Sequence, residues 1–266
     1  MSKYLILGGR SYLAQEFVNL LTKNKIESIS IDSLNSKNYS TSKLKNFLDK
    51  VYAPVIVDFK FPIVSSNNSD FDSLTIDDVL KPQLNLIQLL NEYGYSIQSL
   101  FLISTSKVYD TADRYSELKL EQENLYKDKL NKKIELQIIR LNSVIGPRDK
   151  NKKRLVPFFY KSILIDGYVN LNIHSDDKKQ FIYVEDAVSN IYLISQSIKP
   201  DNYLIHLTYS ELISTLSYIL VSEFNHEHQV CINGLEIKCK NMVRDKTLYN
   251  RLVKTTNWYV SNISLV

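Results

Sequence analysis

The sequence predicts an α/β fold in which helices cover both faces of a doubly wound parallel sheet, followed by a small C-terminal lobe. Short, wholly apolar runs alternate with amphipathic helical patterns as far as about residue 145. A glycine-rich turn joins the first strand to the first helix. Hydroxyl-bearing residues follow a later strand, at the edge of an open sheet where ligands bind. We expect a domain over residues 1–150 and a lobe over 151–266, with part of 180–200 returning to the first domain.

The bulk composition is ordinary for a globular protein. The chain has 266 residues, of which 44% are hydrophobic and 23% are charged, so it is long enough to bury a large core. The formal net charge of +4 is small for this length. The basic run at 150–154 has the pattern of a solvated loop. We therefore expect no nucleic-acid partner.

Cysteine use and hydropathy predict a cytoplasmic protein. Cys231 and Cys239 lack neighbours with the spacing of metal ligands, which predicts a reduced protein without a metal site. No apolar run approaches membrane-spanning length, so we expect no membrane partner. The few residues before the first apolar run are too short for a signal peptide.

The first strand and helix carry the pattern of a dinucleotide fingerprint. The apolar run 4–7 predicts a buried strand, and Gly-Gly-Arg-Ser-Tyr-Leu-Ala follows at 8–14 before a helical pattern begins. Gly8 permits a tight turn, and the amides that open the helix can hold a pyrophosphate. Ser11 stands where a second glycine is expected, and a purely structural turn is the alternative. The predicted cofactor-binding residues here are Gly8, Arg10, Ser11, Tyr12 and Leu13.

The choice between NAD and NADP stays open. A second strand over 29–31 ends in Asp32, which is placed to accept hydrogen bonds from the adenosine ribose of NAD. Arg10 argues for NADP, because a guanidinium in the glycine-rich turn can bind a 2′-phosphate.

The elements that follow complete the predicted sheet. Helices are expected over 43–48 and 77–93, and strands over 55–57 and 100–103. The last of these strands runs into a Ser-Thr-Ser sequence at 104–106. Hydroxyls at that edge are placed to hold a substrate oxygen.

Tyr115 and Lys119 form the centre of the predicted site. Their spacing of four residues puts both side chains on one face of a helix over 115–130. An ammonium near a phenol lowers the pKa of the phenol, and such a tyrosine can exchange a proton with a sugar or alcohol oxygen. A solvated Tyr-x-x-x-Lys pair is the alternative.

The later elements are less regular. A strand over 136–141 closes the main pattern, and a strand near 178–183 runs into a helix over 188–197. The lobe is expected to contain helices over 155–164 and 209–223, and strands over 168–173 and near residues 230 and 237.

Five segments, taken in order, resemble the extended short-chain dehydrogenase/reductase family of nucleotide-sugar epimerases, dehydratases and ketoreductases. The resemblance covers roughly residues 3–197 and implies a Rossmann-type fold with a substrate-binding lobe. The segments are the turn at 8–14, Ser-Thr-Ser-Lys-Val-Tyr at 104–109, Tyr-Ser-Glu-Leu-Lys at 115–119, Arg-Leu-Asn-Ser-Val-Ile-Gly-Pro at 140–147 and Lys-Gln-Phe-Ile-Tyr-Val-Glu-Asp at 179–186.

The resemblance implies a role for each matching residue. Tyr115 is expected to be the catalytic acid and base, Lys119 to hold the nicotinamide ribose and lower the pKa of Tyr115, and Thr105 to bind the reacting oxygen. Gly8, Ser11 and Ala14 fall on the fingerprint positions, and Asp32 on the ribose-binding acid. The predicted substrate-binding residues are Ser106, Lys179 and Arg148, with solvated loop side chains as the alternative for the last two.

Three departures from the family pattern narrow the expectation. Ser106 and Lys107 replace the Asp-Glu pair of the 4,6-dehydratases, which argues against dehydration. Asp-Phe-Lys-Phe at 58–61 replaces small residues on the nicotinamide side and is expected to narrow that pocket. Only nine residues separate Thr105 from Tyr115, which shortens the loop over the sugar site.

The resemblance thus implies an NAD(P)-dependent nucleotide-sugar epimerase or 4-ketoreductase. It also implies a cytoplasmic role in the synthesis of a surface polysaccharide. The alternative is a family member without catalytic activity that binds a nucleotide or a partner protein. Relatives pair through the Tyr-x-x-x-Lys helix, so a homodimer is expected, with Leu120, Leu125 and Leu130 partly exposed on that helix.

Overall fold

The computed structural model describes residues 3–31, 41–52, 54–61, 75–110, 113–152, 154–171, 178–197, 203–205, 209–212, 229–232, 235–236 and 246–262. The helices are α1 Tyr12–Lys23, α2 Thr41–Leu48, α3 Ile76–Glu92, α4 Arg114–Lys129, α5 Leu155–Asp166, α6 Val184–Gln196 and α7 Lys246–Ser261. A short 3₁₀ helix spans Ser106–Tyr109. The strands are β1 Tyr4–Leu7, β2 Ser28–Ile31, β3 Val55–Asp58, β4 Ser99–Thr105, β5 Glu135–Leu141, β6 Ser143–Ile145, β7 Tyr168–Leu171, β8 Lys178–Tyr183, β9 Tyr203–Ile205, β10 Tyr209–Leu212, β11 Gln229–Ile232 and β12 Leu235–Glu236.

A parallel sheet forms the centre of the first of two compact units, which comprises Met1–Asn142 and Glu185–His206. Its six strands lie in the order β2-β1-β3-β4-β5-β9, and every neighbouring pair is parallel. The chain moves from β1 to β2 on one side and then crosses to β3 on the other. This reversal opens a crevice at the carboxyl ends of β1 and β3, where open α/β sheets bind ligands. The predicted Rossmann-like α/β fold is confirmed.

The apolar strands are buried because helices cover both faces of the sheet. All four side chains of β1 are buried. Leu5 and Leu7 join a core cluster with side chains of α2, α3 and α4. Tyr4 points to the other face, where its ring meets Phe17 of α1 edge-on at 5.9 Å and its hydroxyl bonds Ser195 of α6. A strand with water on neither face can be apolar at every position.

The second unit comprises Ser143–Val184 and Leu207–Val266. It contains the sheets β10-β8-β6 and β12-β11-β7. Helices α5 and α7 pack through the rings of Tyr160 and Tyr259, whose centroids are 4.4 Å apart. Tyr160 also bonds Thr256 at 2.5 Å, and the Tyr259 hydroxyl donates to the Asp149 carbonyl oxygen at 2.5 Å.

Three sequence expectations for the later elements differ from the structure. Residues 209–212 of the predicted helix 209–223 form strand β10, which pairs antiparallel with β8, so that prediction is wrong there. Pairing with a remote strand outweighs a weak local helical pattern. Residues 213–223 lie outside the described residues. Helix α6 begins at Val184, earlier than predicted, and α7 was not anticipated.

Two of the three leucines expected at a dimer contact pack against the core of this chain. Leu130 is buried in the core cluster and Leu125 packs against it, so the expected exposure of Leu130 is wrong. Leu120 is half-buried. The homodimer stays a prediction.

In the part of the chain that the structure describes, no helix combines the length and the apolar character needed to cross a membrane.

Candidate active site

The turn after β1 packs backbone against backbone with the segment that follows β3. Gly8 has a φ of +75°, and a Cβ added to it would lie 2.9 Å from the Lys60 nitrogen and 3.0 Å from its Cα. The Gly8 amide donates to the Ile31 carbonyl at 3.2 Å, and the Gly8 carbonyl accepts from the Ser11 amide at 3.0 Å. Only glycine meets both the left-handed backbone and the close approach.

Replacement of Gly8 by alanine is expected to lower the free energy of unfolding by about 2–3 kcal/mol, since it adds backbone strain and a clash with the residue 60 backbone. Gly167 provides a matched control, because it has a φ of +76° and nothing within 4 Å of an added Cβ. Gly167→Ala should therefore lose only the free energy that the left-handed backbone costs an alanine, about 1 kcal/mol. Urea denaturation of both variants measures the difference. Equal losses would contradict the close approach at Gly8.

Ser11, which stands where a fingerprint glycine is expected, is the N-terminal cap of α1. Its backbone is extended, and its Oγ accepts a hydrogen bond from the Ala14 amide at 3.3 Å. Ala14 is fully buried, while Tyr12 and Leu13 in the first turn are half-buried. Amides of a first turn have no intrahelical partner and can bind a phosphate.

Of the two residues expected to select between NAD and NADP, Arg10 is among the residues that the structure describes. Arg10 is exposed, and its carbonyl oxygen accepts from Gln15 Nε2 at 2.9 Å. Asp32 lies outside the described residues.

The start of α4 is fixed next to the end of β4. Asp113 caps the helix by accepting from the Ser116 amide at 2.8 Å, and Lys107 binds Asp113 at 2.8 Å. Burial alone would raise the pKa of Asp113, but the bonds from Lys107 and Ser116 hold that pKa below its ordinary value. Tyr115 is the second residue of α4 and is half-buried. The Lys107 ammonium lies 5.9 Å from the centre of its ring.

Thr105 and Ser106 stand at the carboxyl end of β4. The Thr105 Oγ1 accepts from the Lys107 amide at 3.3 Å and so caps the 3₁₀ helix. That bond uses a lone pair and not the hydroxyl hydrogen of Thr105. Ser106 donates its hydroxyl to Asn142 Oδ1. The donor of Ser106 is therefore occupied, whereas Thr105 keeps a hydrogen to offer.

Lys119 points from α4 into the sheet edge. Its Nζ donates to the Ile103 carbonyl oxygen at 3.1 Å and to Gln122 Oε1 at 3.2 Å, and the residue is only 4% exposed. Burial lowers the pKa of Lys119 to about 8, against the opposing charges of Asp58 and Glu123. At neutral pH this lysine is therefore mainly charged and held beside β4.

Phe61 touches both members of the tyrosine–lysine pair. Its ring centre lies 4.3 Å from Lys119 Nζ and 5.3 Å from the centre of the Tyr115 ring, with the ring planes at 82°. Phe61 thus brings an aromatic ring against both residues, and the narrowing of a nicotinamide pocket by residues 58–61 stays a prediction.

A buried polar cluster lies behind the pair, and sequence reasoning missed it. Asp58 is completely buried, accepts from the Lys60 amide at 2.8 Å and binds the Tyr126 hydroxyl at 2.5 Å. Tyr126 is also 2.9 Å from Gln83 Oε1. Burial raises the pKa of Asp58, although the bond from Tyr126 opposes this. The available signal was an acid that ends an otherwise apolar strand.

Stability is expected to rise between about pH 8 and 10. Burial lowers the pKa values of Lys60 and Lys119 from 10.5 to about 8. In this interval the unfolded chain binds more protons than the folded chain, so the free energy of unfolding increases with pH. Urea denaturation at several pH values tests this. Lys60→Met and Lys119→Met should each flatten the rise, whereas Met at the exposed Lys150 should not. A rise that neither buried substitution changes would contradict the burial of these ammonium groups.

The remaining predicted substrate ligands belong to the second unit. Lys179 lies in β8, where its backbone is opposite Glu211 of β10. Arg148 is exposed in the turn after β6 and has a φ of +70°. The first unit holds Thr105, Ser106, Tyr115 and Lys119 at one edge of its sheet.

The residues present fit a dinucleotide. The Gly8 turn and the N-terminus of α1 stand at the carboxyl end of β1, where a pyrophosphate binds in such sheets. The ammonium of Lys119, which lies on α4, is held near the carboxyl end of β4, and the Phe61 ring covers it.

Sequence comparison gives one family. A sequence model of the NAD dependent epimerase/dehydratase family matches residues 4–205. No curated protein sequence matches the chain.

Solved structures of nucleotide-sugar enzymes share the fold. UDP-glucose 4-epimerase from Thermotoga maritima, with UDP-glucose, has a TM-score of 0.75 at 13% identity, over 98% of this chain and 99% of that chain. UDP-N-acetylglucosamine 4-epimerase from Methanobrevibacter ruminantium has a TM-score of 0.77 at 15% identity, over 98% of both chains. dTDP-glucose 4,6-dehydratase from Bacillus anthracis, with NAD, has a TM-score of 0.70 at 16% identity, over 99% of this chain and 98% of that chain.

Proposed function

The chain belongs to the NAD dependent epimerase/dehydratase family, and we propose that it is an NAD(P)-dependent enzyme that epimerises a nucleotide-linked sugar or reduces its 4-keto group. The family is NAD dependent, two structural neighbours are epimerases of nucleotide sugars, and the neighbouring dTDP-glucose 4,6-dehydratase was solved with NAD. The observation that carries the proposal is the placement of Tyr115 and Lys119 on the first turns of α4, with Lys119 tied to the end of β4.

The start of α1 and the residues Lys119, Thr105 and Tyr115 each have a part in the proposed reaction. The amides that open α1 bind the pyrophosphate, and Lys119 holds the adjoining ribose through its ammonium. Thr105 donates its hydroxyl hydrogen to the reacting sugar oxygen, and Tyr115 moves a proton to or from that oxygen. A bound dinucleotide would supply the chemistry of hydride exchange at the sugar carbon. The protein thus contributes binding, orientation and one proton.

The residues after Thr105 support epimerisation or reduction over dehydration. Elimination of water from a sugar requires an acid and a base beside the leaving hydroxyl. Ser106 is bonded to Asn142, and Lys107 is bonded to Asp113. Neither side chain is a carboxyl group, and both are committed to contacts within the protein.

Native mass spectrometry of the freshly purified protein tests the proposal. Retained NAD⁺ supports an epimerase, which oxidises and reduces its substrate in one cycle and so regenerates its cofactor. A protein without cofactor that binds NADPH on titration supports a 4-ketoreductase. Failure to bind NAD⁺, NADH, NADP⁺ and NADPH in calorimetry would overturn both and favour a family member that binds a nucleotide or a partner protein without catalysis.

A further inference from the structure

Hydrogen bonds and an aromatic ring leave little of the Lys119 ammonium accessible to a ligand. An ammonium carries three hydrogens. One goes to the Ile103 carbonyl oxygen at 3.1 Å and one to Gln122 Oε1 at 3.2 Å. The ring of Phe61 covers the group from 4.3 Å. The residue as a whole is 4% exposed, so a ribose hydroxyl cannot reach the nitrogen in this arrangement.

Phe61 is the least buried part of this arrangement, since Ile103, Lys119 and Gln122 are all buried. The backbone just before it is held on both sides, since the Lys60 amide donates to Asp58 Oδ1 at 2.8 Å and Gln122 Nε2 donates to the Lys60 carbonyl at 3.1 Å. Phe61 itself is only half-buried. Rotation of its side chain off the ammonium would therefore uncover Lys119 while the backbone at Lys60 keeps its hydrogen bonds.

The ring also restricts the tyrosine. Its edge-on contact with Tyr115 at 5.3 Å places one aromatic group against both residues of the proposed pair. A ribose bound at Lys119 and a sugar oxygen at Tyr115 both need space that this ring borders. The same rotation therefore opens the two positions together.

We infer that Phe61 controls access of the nicotinamide ribose to Lys119, because its ring must swing off the ammonium before the dinucleotide binds fully. The inference rests on the proposed function. Contact between an ammonium and an aromatic face is favourable, and it competes with the ribose hydroxyls for the same group. The apparent affinity for NAD(P) is reduced in proportion to the fraction of molecules in which Lys119 is uncovered.

Calorimetric titration of NAD⁺, NADH and NADPH into three proteins tests the inference. Phe61→Ala removes the ring and should bind the preferred dinucleotide about tenfold more tightly than wild type, which corresponds to about 1.4 kcal/mol. Phe61→Tyr keeps the ring and should bind as wild type does. Thermal unfolding of each variant establishes that the fold is retained.

Tyr95→Ala provides a matched control. The Tyr95 ring lies 3.5 Å from Lys133 Nζ, so this variant removes the same kind of contact. Tyr95 precedes β4 and Lys133 precedes β5, which places the pair at the amino edge of the sheet. Its dinucleotide affinity should equal that of wild type.

A second measurement reports on Lys119 without any cofactor. Reductive methylation of the protein, followed by peptide mass spectrometry, gives the rate at which Lys119 is modified. This rate should be low in wild type and several-fold higher in Phe61→Ala. The Tyr95→Ala variant should show the wild-type rate at Lys119.

The outcomes separate the inference from the proposed function. Binding by wild type that becomes tighter in Phe61→Ala supports the inference. Binding by wild type that Phe61→Ala leaves unchanged or weakens overturns the inference alone, as does an unchanged rate of Lys119 methylation. No binding by any of the proteins overturns both.

Discussion

Replacing Tyr115 by phenylalanine is expected to lower kcat by about 10²–10⁴-fold, the usual range for the loss of a group that transfers a proton. Phenylalanine keeps the ring that meets Phe61 edge-on at 5.3 Å. It removes only the hydroxyl, so dinucleotide binding should stay close to that of wild type. Steady-state turnover of UDP- and dTDP-sugars and calorimetric binding of NAD(P) measure the two quantities separately.

Tyr109→Phe is the control for this variant. Tyr109 ends the 3₁₀ helix that follows Thr105, and its hydroxyl accepts from Arg140 at 2.8 Å. Tyr109 is 62% exposed and has no role in the proposed proton transfer, so it provides a tyrosine hydroxyl close in sequence to Tyr115 for comparison. Its loss should leave kcat nearly unchanged. Equal turnover by wild type and Tyr115→Phe would show that another group moves the proton.

The sheet could be predicted because its signals are local. A strand buried on both faces can be apolar at every position, and residues 4–7 and 55–57 are. Gly8 marks a turn that no other residue fits, and the four-residue spacing places Tyr115 and Lys119 on one helix. Each of these inferences needs only neighbouring residues.

The contacts that shape the site could not be predicted in the same way. Spacing along α4 does not show that Lys119 reaches the Ile103 carbonyl or lies beneath Phe61, because Ile103 belongs to β4 and Phe61 to the segment after β3. Likewise, the Asp58–Tyr126 bond joins positions far apart in the chain. In the lobe, residues 209–212 were misassigned because pairing with β8 decides their conformation.

The bond between Glu123 and Arg140 is one of these long-range contacts, and it fixes α4 on the sheet. Arg140 of β5 donates from Nε to Glu123 Oε1 at 3.0 Å and from Nη2 to Oε2 at 2.6 Å. The Glu123 side chain is completely buried. Burial alone would raise the pKa of Glu123, but the bonds from Arg140 hold that pKa below its ordinary value. Glu123 follows Lys119 by one helical turn, so this pair also sets where Lys119 lies.

Arg140→Met is expected to lower the free energy of unfolding by about 3–5 kcal/mol, since it leaves a carboxylate buried without its main partner. The double variant Glu123→Met/Arg140→Met should be less destabilised than Arg140→Met alone, because it buries no unpaired charge. Arg114→Met is the matched control. The Arg114 and Glu117 side chains are 28% and 49% exposed, against 15% and 0% for Arg140 and Glu123, so loss of this pair should cost less, about 1 kcal/mol or below. Urea denaturation at pH 7 measures all three.

The cost of Arg140→Met should shrink as the pH falls. In wild type, the depressed pKa of Glu123 contributes stability that is complete above the ordinary carboxyl range and is lost as the pH drops through the folded pKa. In the variant, burial without Arg140 raises the pKa of Glu123, so its carboxyl group takes up a proton at a higher pH and the unpaired charge disappears. Urea curves between pH 7 and about pH 4 should therefore converge. Curves for wild type and Arg140→Met that stay equally far apart over that interval would show that packing of the arginine stem, and not its charge, holds α4 to β5.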